Sequence, residues 1–182
     1  RDSAFEARAA KRSAVRWGTG SRARSRVCTR PSGLRASHSR ANRPASCNSC
    51  HNVGLAGADG RETAIGHSWQ KGGRNVPTAF NAVFNTARFW DGRAQDLDDQ
   101  PTGPTFNPIE MALPQGELSE QLAAIPGYQA AFSAAFPGDA APVTLANAQK
   151  AIAVFQATLI TPDAPFDKYL RGDSAALNAG QK

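Results

Sequence analysis

The stretch CNSCH, residues 47–51, holds the side chains best suited to chemistry in this sequence. Two thiols three positions apart, with a histidine directly after the second, have the spacing of c-type haem attachment. In that chemistry each thiol adds to one vinyl group of haem, and the adjacent imidazole reaches the iron from one face. Cys47 and Cys50 are then the thioether links and His51 the proximal iron ligand. Zinc competes, because Cys-x-x-Cys also opens many zinc sites, but those need a second ligand pair at matching spacing. The remaining cysteine, Cys28, lies nineteen residues upstream of Cys47 with no second ligand beside it. A redox Cys-x-x-Cys expects a βαβ pattern around it, and none is visible.

The elements that must position this motif lie on its C-terminal side. The formal net charge of +6 is unevenly spread. Residues 1–46 hold twelve Lys and Arg against two acids, and the remainder nine against thirteen, so the basic character belongs to the first quarter alone. That quarter is rich in Arg and Ser and has no sustained apolar period, so it cannot bury enough surface to offset its ordering entropy. A nucleic-acid arm fits its charge, yet no aromatic interleaving or binding fold accompanies it, and no nucleic-acid partner is expected. A transit-peptide composition also fits. The reading adopted is a segment outside the folded domain over residues 1–45, disordered or non-native, such as a stretch translated out of frame. No apolar run has the length of a secretory core or a membrane span.

Beyond His51 the texture changes. Residues 52–116 are dense in Gly, Pro, Asn and Asp, which predicts extended loops and single-turn helices wrapped around a cofactor. Short helices are expected at 77–84, with Phe80, Val83 and Phe84 on one face, and at 93–100. From Glu117 the period becomes helical. Leu118, Leu122 and Ile125 make one stripe up to Pro126. Tyr128, Ala131, Phe132 and Phe136 make a second, stopped by Pro137-Gly138. Thr144 can cap a third helix carrying Leu145, Ala148, Ile152, Phe155 and Leu159. No convincing strand run exists. The predicted fold class is mainly α, a cytochrome c-like haem domain over residues 46–165 with long loops, followed by a linker over 166–182.

Four stretches carry a family resemblance: CNSCHNVG, IGHSWQKGGRNVPTAFNAVFN, FWDGRAQDLDDQPTGPTFNPIEM and FDKYLRGD. Together, in this order and spacing, they resemble the bacterial di-haem cytochrome c peroxidase family over about residues 46–182. The resemblance implies that CNSCH belongs to the N-terminal, peroxidatic haem. His67 stands where the family has a removable sixth iron ligand, and the flank GRETAIGHSWQKGG has the backbone freedom for a swing. Asn75 matches a residue that helps hold a calcium ion, and Trp90 matches a tryptophan between two haems. Gln100 and Glu110 match the polar pair on the peroxide-binding side, and Trp69 and Met111 are read as haem-pocket packing.

The chemistry asked of Glu110 is definite: take a proton from one oxygen of hydrogen peroxide and deliver it to the other. Gln100 would orient the peroxide by donating a hydrogen bond. The resemblance also implies haem c and calcium as cofactors and a small cytochrome c or cupredoxin as electron donor. It implies a homodimer when intact and a periplasmic location. The family carries a second CxxCH, and this sequence holds one, so the chain reads as the peroxidatic part of such an enzyme. Two alternatives stay open: a mono-haem electron carrier with His67 as permanent ligand, and a di-haem oxidase acting on a partner protein, as in the methylamine-utilisation relatives.

Overall fold

A computed structural model describes residues 46–182, and the expectation for residues 1–45 lies outside them. The described chain contains α1 (Cys47–Cys50), α2 (Thr102–Phe106), α3 (Glu117–Ala123), α4 (Pro126–Ala135), α5 (Leu145–Ala157) and α6 (Pro165–Leu170). Three 3-10 turns stand at Val53–Leu55, His67–Trp69 and Ala82–Phe84. No strand is present among the described residues, only isolated antiparallel bridges, which agrees with the mainly α expectation.

The helical half follows its apolar periods. Leu122 of α3, Tyr128 and Phe132 of α4 and Ala148 of α5 form one buried cluster, with Leu118, Ile125, Phe136 and Val143 packed against it. Phe132 and Phe136 stack at 5.9 Å between centroids. Pro126 both ends the first stripe and opens the second helix, because a proline in the first turn lacks only an N–H that had no helical partner. Thr144 caps α5 as expected, its hydroxyl accepting from Asn147 N at 3.1 Å. The α5 stripe is shifted from expectation: Ala148 and Ala153 are its buried residues, while Ile152 and Phe155 are half-buried.

The two short helices expected upstream do not form as such. In 77–84 only Ala82–Phe84 turns, and Phe84 is exposed. Asn81 takes a left-handed conformation instead of a helical one. Its main chain donates to Leu159 O at 2.7 Å, and its side chain exchanges bonds with Thr161 at 2.8 and 2.9 Å. A tether to the far end of α5 thus outweighs local helix propensity. In 93–100 the side chain of Asp96 accepts from Asp98 N and Asp99 N at 2.9 and 2.8 Å, closing an Asx turn in place of a helix. The helix begins only after Pro101, as α2.

The bridges organise the loop half. Asn52 pairs with Ala58, Ile65 with Lys71, and Arg88 with Ala94, each pair six positions apart. Each bridge closes a tight loop: the first directly follows His51, the second carries His67, and the third carries Trp90. A second small cluster of Ala82, Leu97 and Ala153 joins these loops to α5. Among the described residues no large side chain is completely buried. The loops are therefore held chiefly by hydrogen bonds, and the apolar anchor lies in α3–α5. Replacing Phe132 by Ala should lower unfolding free energy by about 3–5 kcal/mol, read as a lower denaturant midpoint at unchanged slope.

Candidate functional site

The thiols come first. Cys47 and Cys50 open and close the single turn α1, with Ser46 before it donating its N–H to Ser49 Oγ at 3.1 Å. Positions i and i+3 share one helix face, so both sulfurs serve the same side. They are half-buried and not joined to each other in a disulfide. His51 N closes the turn on Cys47 O at 2.8 Å. Its ring Nδ1 donates to Gly57 O at 3.1 Å. That bond fixes the tautomer and leaves the Nε2 lone pair for a metal, the usual outer contact of a ligating histidine. Gly57 has φ +74, and a Cβ there would meet Ala79 N at 2.8 Å, so glycine is needed where this carbonyl turns toward the ring.

This donor set fits haem. Among the described residues no group of three or more His, Cys, Asp and Glu is gathered to hold a metal ion. Two thiols on one face with an oriented imidazole beside them suit a porphyrin already bearing its four nitrogens.

His67 sits at the tip of the second loop. Gly66 N donates to Gln70 O at 2.9 Å and Gly72 N to Ala64 O at 2.9 Å, so the loop returns sharply on itself. Ser68 and Trp69 both take positive φ, 51 and 64, which non-glycine residues adopt at a cost. Trp69 projects with 65% of its surface exposed. The loop is pinned to the segment bearing Glu110. His67 N donates to Glu110 O at 2.7 Å and Ile109 O at 3.1 Å, and Gln70 Nε2 donates to Pro108 O at 3.2 Å. A Cβ on Gly66 would stand 1.9 Å from Ile109 O, so only glycine allows this approach.

Glu110 is half-buried, between the exposed Ile109 and the half-buried Met111. Its apolar enclosure is therefore partial. Its carboxylate is bonded by Asn107, whose Nδ2 donates to Glu110 Oε1 at 2.9 Å. Gln100 lies on the turn before α2, half-buried, its side chain making no hydrogen bond among the described residues. The turn is fastened to one face of α5. Leu97 packs on Ala153, Asp98 pairs with Lys150 at 2.8 Å, and Thr102 Oγ1 accepts from Gln149.

The third loop presents Trp90, 64% exposed, with its indole N–H donating to Asn75 O at 2.8 Å. Asn75, also exposed, donates through Nδ2 to Arg61 O at 2.6 Å. Asp91 holds the loop from the other side, accepting from Arg74 at 2.8 Å and from Arg93 at 2.8 and 3.0 Å. The Arg93 guanidinium lies 3.5 Å over the Phe89 ring. The Arg74 guanidinium, aided by Arg93, holds the Asp91 carboxyl down to about 2 from 3.8.

The structure therefore brings His67 to Glu110 and Trp90 to Asn75, and sets Gln100 and Glu110 beyond opposite ends of α2. Sequence reasoning missed Gly66, Asn107, Asp91 and the pair Gln149 and Lys150. Of these only Asn107 carried a local signal, since Asn-Pro initiates turns.

Residues 37–175 match the family described as di-haem cytochrome c peroxidase. The chain is 55% identical over 137 residues to cytochrome c551 peroxidase of Pseudomonas aeruginosa, covering 75% of this chain and 40% of that protein. It is 38% identical over 137 residues to methylamine utilization protein MauG of Methylorubrum extorquens, covering 75% and 38%. A crystal structure of a MauG-like protein associated with microbial copper homeostasis superposes with a TM-score of 0.65 at 32% identity, over 71% of this chain and 39% of that one. The chain thus spans about two fifths of the length of these relatives.

Two outcomes follow from the loop contacts. Gly66→Ala should force the His67 loop off residues 109–110 and speed exchange of the His67 amide by on the order of tenfold or more, read by hydrogen exchange. Asp91 has a depressed folded-state pKa, so its stabilisation is complete above 3.8 and is lost as pH falls through about 2. Asp91→Asn should accordingly flatten the acid limb of the stability profile in that window and leave the profile above pH 5 parallel to the parent.

Proposed function

Because this chain belongs to the di-haem cytochrome c peroxidase family, we propose that it is the peroxidatic haem domain of an enzyme reducing hydrogen peroxide to water. The observation that carries the reading is the direct bonding of His67, through its N–H, to the backbone of Glu110. The residue read as a removable ligand and the acid are thereby held backbone to backbone. When bound, haem supplies the redox-active iron at which peroxide is cleaved. Cys47 and Cys50 would hold it covalently, and His51, oriented by Gly57 O, would ligate it.

The chain's own residues then divide the remaining work. His67 must withdraw for peroxide to enter, and its withdrawal breaks bonds to Ile109 O and Glu110 O. Gln100, its amide uncommitted among the described residues, is suited to orient peroxide by a hydrogen bond. Glu110 takes a proton from one peroxide oxygen and returns it to the other, which leaves as water. Two electrons and two further protons complete the conversion to two water molecules. A small cytochrome c or cupredoxin would supply the electrons through a second haem, with Trp90 as the aromatic between the two cofactors.

Calcium enters this reading through Asn75. Its Nδ2 and carbonyl are engaged by Arg61 and Trp90, which leaves Oδ1 for a hard cation. The other oxygens of the six to eight that calcium takes would be backbone, water or groups of the full-length protein. A periplasmic location and a homodimer belong to the same proposal. No described helix is long and apolar enough to cross a membrane.

A di-haem oxidase acting on a partner protein is the second reading, favoured by the likeness to the MauG protein. Turnover of free peroxide with a cytochrome donor would set it aside. Within the full-length two-haem protein, Glu110→Gln should keep both haems and lose peroxidase turnover by on the order of 10²–10⁴-fold. Stopped-flow oxidation of a reduced cytochrome measures it, and wild-type rates in that variant would remove Glu110 from the chemistry.

A further inference from the structure

Asn107 commits nearly every hydrogen-bonding group it has to the six residues 107–112. Its N–H donates to Gly103 O at 3.0 Å, ending α2. Its carbonyl accepts from Glu110 N at 3.0 Å and from Ala112 N at 2.9 Å. In the side chain, Oδ1 accepts from Ile109 N at 3.0 Å, and Nδ2 donates to Glu110 Oε1 at 2.9 Å. Pro108 between them has its φ fixed by its ring and asks for no partner of its own.

The orientation of this amide is dictated by its neighbours. Reversed, it would set an oxygen against the Glu110 carboxylate and an NH2 against the Ile109 N–H, two repulsions in place of two bonds. Asparagine is also the only residue type that does both jobs at this reach. Aspartate keeps the acceptor for Ile109 N and loses the donor, serine keeps the acceptor and cannot reach the carboxylate, and glutamine is one methylene too long for the Asx turn.

The consequence falls on Glu110. Oε1 is tied to Asn107, while Oε2 has no hydrogen-bond partner among the described residues. A carboxylate free at both oxygens rotates and offers either. One anchored at a single oxygen presents the other in a fixed direction, and directional preorganisation is what a shuttle between two adjacent peroxide oxygens requires. We infer that Asn107 is a positioning residue for Glu110, pinning Oε1 so that Oε2 accepts the proton from one peroxide oxygen and returns it to the other. The O–O bond breaks as that proton is delivered and the first water leaves; two one-electron deliveries from the small redox-protein donor and two protons from solvent convert the remaining oxygen to the second water. Glu110 ends each cycle in the state in which it began. The inference rests on Glu110 being the proton carrier, so the test separates the two.

The test uses the full-length two-haem protein in four forms: parent, Asn107→Asp, Asn107→Ser and Glu110→Gln. Both Asn107 substitutions retain an acceptor for Ile109 N, so the turn is kept; serine removes the hold on Oε1, and aspartate replaces it with a repelling oxygen. Each should lower kcat by on the order of tenfold or more, with the KM for peroxide changed by less than about twofold. The visible spectra of both haems should match the parent. Adding Asn107→Asp to Glu110→Gln should cost almost nothing further, because Asn107 acts only through the carboxylate. A crystal structure of the Asn107→Asp protein should show the Glu110 carboxylate turned away while the bond from Ile109 N persists. Glu110→Gln inactive with both Asn107 variants at parental kcat overturns the role of Asn107 alone. Parental turnover in Glu110→Gln overturns the proton carrier and this inference with it. Full additivity in the double variant, or an unmoved carboxylate in the crystal, overturns the claim that Asn107 works through Oε1.

Discussion

The approach of Gly66 to residues 109–110 is the constraint on which the site geometry turns. Two segments more than forty positions apart lie so near that a single methyl would occupy the place of a carbonyl oxygen. Closeness of that order lets one amide, His67 N–H, bond two successive carbonyls. It also explains why the loop tolerates positive φ at both Ser68 and Trp69. Strain of this kind persists only where surrounding bonds over-determine the backbone, and here the bonds from His67 and Gln70 to residues 108–110 do so.

Energy is distributed accordingly. The apolar clusters are small and lie in α3–α5, with a bridge of Ala82, Leu97 and Ala153 to the loop half. The loops carry the candidate site residues and are fastened to that base at few places: Asn81 to Leu159 and Thr161, and the 98–102 turn to Gln149 and Lys150. Individual hydrogen bonds of this sort contribute about 1 kcal/mol each, and the exposed ion pairs less. Such segments open locally at a small fraction of the cost of global unfolding. The His67 loop lies at that end of the range.

How far the sequence could be read follows from this division. The helices α3, α4 and α5 were legible because their stability comes from periodic apolar faces, and Leu122, Tyr128, Phe132 and Ala148 stand where the period puts them. The expected helices at 77–84 and 93–100 failed because their fate is decided by Asn81 and Asp96, whose side chains capture backbone groups that a helix would use. Nothing in a local window reveals that Leu159 waits for the N–H of Asn81. The motif residues Cys47, Cys50 and His51 were singled out by type and spacing, and His67, Trp90, Gln100 and Glu110 by the family resemblance. The partners that aim them were not: the Gly57 carbonyl behind His51, the Gly66 contact and the Asp91 clamp each arise from pairings between distant or main-chain groups, and glycine carries no label saying what it faces.

The three bridged loops show why so short a chain can aim several residues at once. Each closes over the same six-residue interval, so each fixes its tip with one backbone pair and needs no sheet. The tips are then joined to distinct supports: Gly57 to His51 and Ala79, His67 to Glu110, Trp90 to Asn75. Because these supports differ, the tips can move separately. Loosening the His67 tip breaks bonds to residues 108–110 but none of those holding His51 to Gly57 or Trp90 to Asn75. The network of short polar contacts keeps the three loops separate, where a single shared apolar core would have tied them together.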